Sequence, residues 1–168
     1  AQKTLAGYYA HCTALDDCVG ELRRTLQEAG LAENTLLVFT SDHGDMLGSR
    51  GAYRKQRPWD ESIRVPLLVH WPKGLGLKAR QLEAPINSED LMPTLMAAAG
   101  EPDIKAKLLK GHKAGDQTFK VHVDGYNLLP ALQGKGEWPR KEFFYWSDTG
   151  SLVGLRYDRW KIVFQEQR

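Results

Sequence analysis

The heptapeptide Thr35-Leu-Leu-Val-Phe-Thr-Ser41 constrains the fold more than any other stretch of this 168-residue chain. It is short, almost continuously apolar and rich in β-branched and aromatic residues, the mark of a strand covered on both faces as in parallel sheets flanked by helices. A second run, Val65-Pro-Leu-Leu-Val-His-Trp71, has the same character; Pro66, which cannot donate a ladder hydrogen bond, belongs at its start. Ahead of both, Tyr8, Cys12, Leu15, Val19, Leu22, Leu26 and Ala29 recur at steps of four and three. That spacing is the apolar stripe of an amphipathic helix, and Gly30 stands where a C′ residue would end it. A long helix followed by two buried strands predicts an α/β fold.

The rest of the chain is organised by its punctuation. Asn87 to Ala99 reads as a helix capped by Asn87 or Ser88, with Glu89 and Asp90 in its first turn, Pro93 close to its start and Gly100 past its end. Glu101 to Lys120 is rich in Lys and Gly and predicts irregular structure. Eight of the sixteen aromatic residues then fall in the last 31 positions. There Glu142 to Ser147, Leu152 to Arg156 and Trp160 to Phe164 alternate with Asp148-Thr-Gly150 and Tyr157-Asp-Arg159, the pattern of a small antiparallel meander.

Charge and composition exclude several functions. Lysine and arginine exceed aspartate and glutamate by only two, with the signs interleaved, so no polybasic segment is offered to nucleic acid or to an anionic membrane surface. No stretch approaches the roughly 20 apolar residues that a membrane-spanning helix requires. Neither nucleic acid nor membrane is therefore expected as a partner. Cys12 and Cys18 lie about 9 Å apart along a helix at 1.5 Å per residue, beyond the reach of a disulfide, and are expected to be buried and inert. No basic-then-apolar leader precedes the helix, which leaves the compartment open.

Chemistry concentrates between the two strands, in the 23 residues from Asp42 to Arg64. A loop of that length in a compact domain is usually functional. It opens on Phe39-Thr-Ser-Asp42-His43-Gly44-Asp45, which delivers a carboxylate and an imidazole together at the carboxyl end of a strand, where open α/β sheets place their sites. Both are metal-ligand types. Arg50, Arg54, Lys55 and Arg57 follow within eight residues, a cluster suited to an oxyanion such as sulfate or phosphate. His11 and His70 are expected in packing or surface roles, and His112 and His122 flank a Lys-rich connection.

The whole chain resembles the C-terminal half of a sulfatase, a member of the alkaline-phosphatase superfamily. The resemblance rests on Asn34 to Asp45, on Met46-Leu-Gly-Ser-Arg-Gly51 with Lys55, and on Glu61-Ser-Ile-Arg-Val-Pro-Leu67. It continues through Asp90-Leu-Met-Pro-Thr-Leu95, Asp124-Gly-Tyr-Asn-Leu-Leu-Pro130 and Arg140-Lys-Glu-Phe-Phe-Tyr-Trp146, in collinear order. It implies part of a sulfatase-type mixed sheet flanked by helices over residues 1–110, the later part of the catalytic domain. A small antiparallel sheet should begin over residues 111–168.

The same resemblance implies that Asp42 and His43 are ligands of a divalent cation, calcium first among the candidates, and that Lys55 holds a sulfate oxygen. Imidazole at position 43 shifts the preference toward magnesium or manganese. The implied substrate is a small sulfate ester; a phosphonate or phosphodiester is the alternative, since the same groups serve either oxyanion. The implied compartment is the bacterial periplasm or cytoplasm.

Sulfatases attack sulfur with a formylglycine made from a Cys or Ser in a Cys/Ser-x-Pro-x-Arg motif. Here Cys12 is followed by Thr-Ala-Leu-Asp and Cys18 by Val-Gly-Glu-Leu, so neither is that nucleophile and no catalytic residue is assigned within this chain. The last strand candidate also runs close to Arg168 with nothing to close the sheet. The expectation is therefore a fragment that carries half a site, with an exposed aromatic sheet edge available for homo-oligomerisation.

Overall fold

A computed structural model describes residues 2–55, 57–76 and 78–165 of the chain. It divides into two compact units, Ala1–Gly76 and Leu77–Arg168. The architecture is α/β, with helices alternating with small antiparallel sheets.

The first unit opens with α1 (Gln2–Glu28). It ends as its sequence predicts: Gly30 adopts φ 68°, its amide donates to the Gln27 carbonyl at 3.0 Å, and the Leu31 amide donates to the Leu26 carbonyl at 2.9 Å. Those two bonds form a Schellman motif, which satisfies carbonyls that the end of a helix leaves unpaired. The apolar stripe is real in register but mostly uncovered. Val19 and Leu26 are half-buried, whereas Tyr8, Leu15 and Leu22 are exposed. Cys12 and Cys18 are free and exposed, which corrects the expectation of buried thiols: nothing described packs over the surface of α1 that carries them.

β1 (Leu37–Thr40) pairs with β2 (Leu67–His70) in antiparallel register, Val38 opposite Val69 and Phe39 opposite Leu68. This departs from the expectation of parallel strands buried on both faces. β1 is half-buried along most of its length, and β2 alternates between half-buried Leu67 and Val69 and exposed Leu68 and His70. An apolar run of four residues looks alike in either strand direction, so direction is set by the pairing and not by composition. The loop between them contains the one-turn helix α2 (Asp60–Ile63), and α3 (Pro72–Leu75) follows β2.

The first helical turn of the second unit starts at the cap foreseen from sequence. Asn87 and Asp90 form a reciprocal capping box at the head of a 3₁₀ turn, Ser88–Asp90, that continues into α4 (Leu91–Ala98). The change from one helical type to the other falls where Pro93 cannot donate to the Glu89 carbonyl four residues back. The backbone of Gly125 comes close to the same carbonyl; a Cβ there would lie 1.8 Å from the Glu89 oxygen, so only glycine fits. Residues 101–120, expected to be irregular, instead form α5 (Ile104–Lys110) and the hairpin β3 (His112–Ala114) to β4 (Gln117–Phe119). The helix buries Ile104 and Leu108, one turn apart, and its lysines obscure that short stripe. The hairpin turns on Gly115, at φ 60°, as a two-residue turn requires of its first central position.

Asp90 and Arg140 hold this unit together. Asp90 is 0% and Arg140 3% exposed. The guanidinium grips the carboxylate through two bonds, Nε to Oδ2 at 2.6 Å and Nη2 to Oδ1 at 2.7 Å, and also reaches Glu89 Oε1 at 2.6 Å and the Glu142 carbonyl at 3.0 Å. Asp90 also accepts from the amides of Asn87 and Tyr126 at 3.0 and 2.7 Å. Thr94 completes the lattice, its hydroxyl donating to the Tyr126 carbonyl at 3.3 Å and accepting from the Leu128 amide at 2.9 Å. Burial alone would depress the guanidinium's pKa; the hydrogen bond and charge of Asp90, with Glu89, overcome it and raise the value.

α6 (Leu129–Leu132) follows, then the three-stranded meander β5 (Glu142–Trp146), β6 (Leu152–Tyr157) and β7 (Trp160–Val163), with β6 central. This sheet stands as the sequence predicts. Val153 is fully buried, while Phe144, Trp146, Tyr157, Trp160 and Ile162 are exposed.

Two predictions concern this unit. Replacing Arg140 with Ala strands the Asp90 carboxylate in the interior, and urea unfolding should show a loss of about 3–5 kcal/mol; a loss under about 1 kcal/mol would show that the pair is not what holds the unit. The second concerns pH. The Tyr126 hydroxyl donates to Glu142 Oε1 at 2.8 Å, which lowers the carboxyl's pKa and raises the phenol's. The carboxylate's contribution is present above its unfolded value near 4.5 and is lost as pH falls through the lower folded value. The phenol's contribution is complete below 10.0 and is lost as pH rises through the raised value. Melting temperature against pH should fall at both ends, and Tyr126→Phe should flatten both limbs relative to the parent chain.

Candidate functional site

The site candidate lies in the first unit, where β1 gives way to the long loop. Three contacts fold the loop back on itself. The Gly44 amide donates to the Ser62 carbonyl at 2.8 Å, Met46 to Arg54 at 2.9 Å and Gly48 to Ala52 at 2.8 Å. Gly44 is required by close approach, since a Cβ at that position would lie 1.9 Å from the Glu61 carbonyl oxygen. Met46 (1% exposed) and Ser62 (2%) form the buried floor. Ser49 donates its hydroxyl to Glu61 across the loop, which is the main reason the Glu61 carboxyl is held below its ordinary value.

Asp42 and His43 come together at the mouth of this loop. Asp42 Oδ1 accepts from the His43 amide at 2.9 Å, and Ser41 Oγ donates to the His43 carbonyl at 2.8 Å. The His43 ring turns its Nδ1 to the Gly44 carbonyl at 2.7 Å. A carbonyl can only accept, so Nδ1 carries the proton and the neutral ring keeps its lone pair on Nε2. That Nε2 lies 3.4 Å from Asp42 Oδ2. Two lone-pair-bearing atoms this close, with their neighbours already tied to backbone, suit a shared cation, and the Gly44 contact is the outer hydrogen bond that commonly orients a ligating imidazole. Among the described residues no third His, Cys, Asp or Glu joins them in a metal-binding group.

Desolvation pushes the Asp42 carboxyl upward, but the hydrogen bond from the His43 amide and the positive charge that the His43 ring carries when protonated, with a smaller contribution from the charge of Lys55, hold it below its ordinary value. Lys55 is exposed and near enough for its charge to be felt at Asp42. Arg50 is directed elsewhere: it sits in the left-handed region at φ 54°, its guanidinium 4.2 Å from the centre of the Trp59 ring, and its charge acts on Glu61. Arg54 is also left-handed, at φ 67°.

Of the other histidines, two belong to the first unit and two to the second. His11 is exposed on α1 and His70 at the end of β2. His112 opens β3, and His122 Nδ1 is 3.1 Å from Asp124 Oδ1. The residue that sequence reasoning passed over is Asp45. Its Oδ1 accepts from the amides of Leu47 at 2.8 Å and Arg54 at 3.1 Å. The signal was available, because an aspartate two residues ahead of a Leu-Gly turn is a frequent Asx-turn former.

Residues 1–101 match the family model Sulfatase. The chain belongs to the sulfatase family. An ulvan-active sulfatase of Formosa agariphila is 45% identical over 98 residues, which is 57% of this chain and 19% of that protein. A choline-sulfatase of Rhizobium meliloti is 31% identical over 165 residues, 97% of this chain and 29% of that protein. Among solved structures, the phosphonate monoester hydrolase SpPMH of Silicibacter pomeroyi superposes with a TM-score of 0.59 at 32% identity, covering 77% of this chain and 22% of that one. The sulfatase segment thus spans less than a third of the length of each of these proteins.

The geometry of Gly44 makes a prediction about the loop. Gly44→Ala should break the closure onto residues 61–62 and open the loop to trypsin at Arg50, Arg54 and Arg57, raising the cleavage rate at least ~10-fold in limited proteolysis followed by mass spectrometry. Unchanged cleavage would mean that the close approach at Gly44 does not hold the loop.

Proposed function

We propose that this sulfatase segment supplies part of the metal and sulfate site of a sulfuric ester hydrolase. Asp42 Oδ2 and His43 Nε2 would hold a divalent cation, calcium or, given the imidazole, magnesium or manganese. Bound there, such a cation polarises sulfate oxygens. Lys55 binds a sulfate oxygen and offsets negative charge as it builds on the transferring group. The Gly44 carbonyl fixes the imidazole tautomer, and the folded loop keeps the lysine near enough for its charge to act on the carboxylate.

The observation that carries the reading is the 3.4 Å approach of His43 Nε2 to Asp42 Oδ2, two acceptors side by side with a lysine charge acting on one of them. The reading is of half a site. No Cys/Ser-x-Pro-x-Arg motif occurs in these 168 residues, so the formylglycine that attacks sulfur comes from outside them. A phosphonate monoester as substrate is the second reading, favoured by the 0.59 TM-score to SpPMH and by the shared tetrahedral oxyanion chemistry of the two esters.

Calorimetric titration of the 168-residue chain with calcium, magnesium and manganese should therefore detect only weak binding, and aryl sulfate turnover should be absent. Asp42→Asn or His43→Ala should remove the binding that remains. Robust turnover by the purified chain, or metal binding indifferent to both substitutions, would overturn the assignment.

A further inference from the structure

Five of the eight residues between Met46 and Lys55 lie on left-handed backbone. Leu47, Gly48, Arg50, Gly51 and Arg54 all have positive φ. For the two glycines this is ordinary. For an arginine it costs on the order of 1 kcal/mol and persists only where the surroundings over-determine it. At Arg54 they do so from both sides of one residue: its amide donates to Asp45 Oδ1 at 3.1 Å, and its carbonyl accepts from the Met46 amide at 2.9 Å. The same Oδ1 holds the Leu47 amide at 2.8 Å. One carboxylate oxygen therefore joins the start of the loop to its end.

The residue after Arg54 is Lys55. The φ of residue 54 sets the direction in which the chain leaves it, so a relaxed Arg54 would carry Lys55 away along another path. We propose that Asp45 is a positioning residue: by holding the Arg54 amide it keeps Arg54 in the left-handed conformation that presents Lys55 to the oxyanion beside Asp42 and His43. The role rests on the reading of those three residues as a metal and sulfate site. It differs from metal ligation, because Asp45 acts through acceptance of hydrogen bonds from two amides. An amide oxygen, with its two lone pairs, can also accept both, though each bond is weaker than one to a carboxylate.

Two variants separate these roles. Asp45→Ala removes the acceptor, and Asp45→Asn keeps an acceptor while removing the charge. In the metal-free chain, the Arg54 amide of Asp45→Ala should exchange with solvent about tenfold faster than in the parent, whereas Asp45→Asn should stay close to the parent rate. Manganese added as a paramagnetic probe should broaden both the His43 ring resonances and the Lys55 side-chain methylenes of the parent. In Asp45→Ala it should still broaden His43 but lose its effect on Lys55, and Asp45→Asn should restore both.

An Asp45→Ala chain with parent-like Arg54 exchange and parent-like Lys55 broadening would overturn the proposal. Loss of His43 broadening in Asp45→Asn would also overturn it, since that would make Asp45 a metal ligand. Failure of manganese to broaden His43 in the parent would instead sink the metal site itself. Positioning would then be decided by Arg54 exchange alone, with protection kept in Asp45→Asn and lost in Asp45→Ala supporting it and equal exchange in the two overturning it.

Discussion

A carboxylate with no exposed surface can remain in a protein interior only if its charge and lone pairs are met, and the second unit is arranged around meeting those of Asp90. Arg140 comes from 50 residues away to supply two of the bonds, and the amides of Asn87 and Tyr126 supply the others. Each partner brings an element with it: Asn87 the head of α4, Tyr126 the segment leading to α6, Arg140 the start of the meander. Removing Arg140 leaves the buried carboxylate without its counter-charge, which is why such pairs specify geometry even where they add little net stability. Thr94 and Gly125 extend the same lattice without charge, one by bridging backbone groups and the other by its lack of a side chain.

The site candidate is built on the opposite principle. Asp42 is exposed and His43 half-buried, so little burial energy fixes them. Their arrangement depends instead on backbone groups: the His43 amide on one carboxylate oxygen, the Gly44 carbonyl on one ring nitrogen. What remains free, one oxygen and one nitrogen, is what a cation can use. A polar site held by main-chain contacts can stay open to solvent and still keep the two atoms proposed as ligands in register.

Much of this was legible in the sequence, and what was not has identifiable physical causes. The Schellman end of α1, the Asn87 cap and the aromatic meander follow from local patterns, and local patterns decided them. Strand direction did not follow, because Leu37 to Thr40 would look the same in a parallel or an antiparallel pair. α5 was hidden because only Ile104 and Leu108 mark its buried stripe among four charged or small neighbours. The exposure of Cys12 and Cys18 depends on what covers α1, which periodicity does not report. At the site, residue types pointed to Asp42 and His43 and the family resemblance singled out Lys55 from its basic cluster, but Asp45 and the tautomer of His43 depend on where two backbone amides and one carbonyl come to lie. The bond from Asp90 to Arg140 was the least legible of all: both residues were noticed as parts of motifs, and nothing local to either one names the other.

The closing of the long loop by Gly44 and residues 61–62 has a kinetic side. Asp42, His43, Asp45 and Lys55 all lie within a single stretch of 14 residues, so bringing them together requires closing only a short loop. That costs little chain entropy and takes on the order of 100 ns. This stretch is therefore among the earliest parts of the chain able to assemble, ahead of any pairing between distant segments. In the proposed site, ligands contributed from elsewhere would meet a local half already in place.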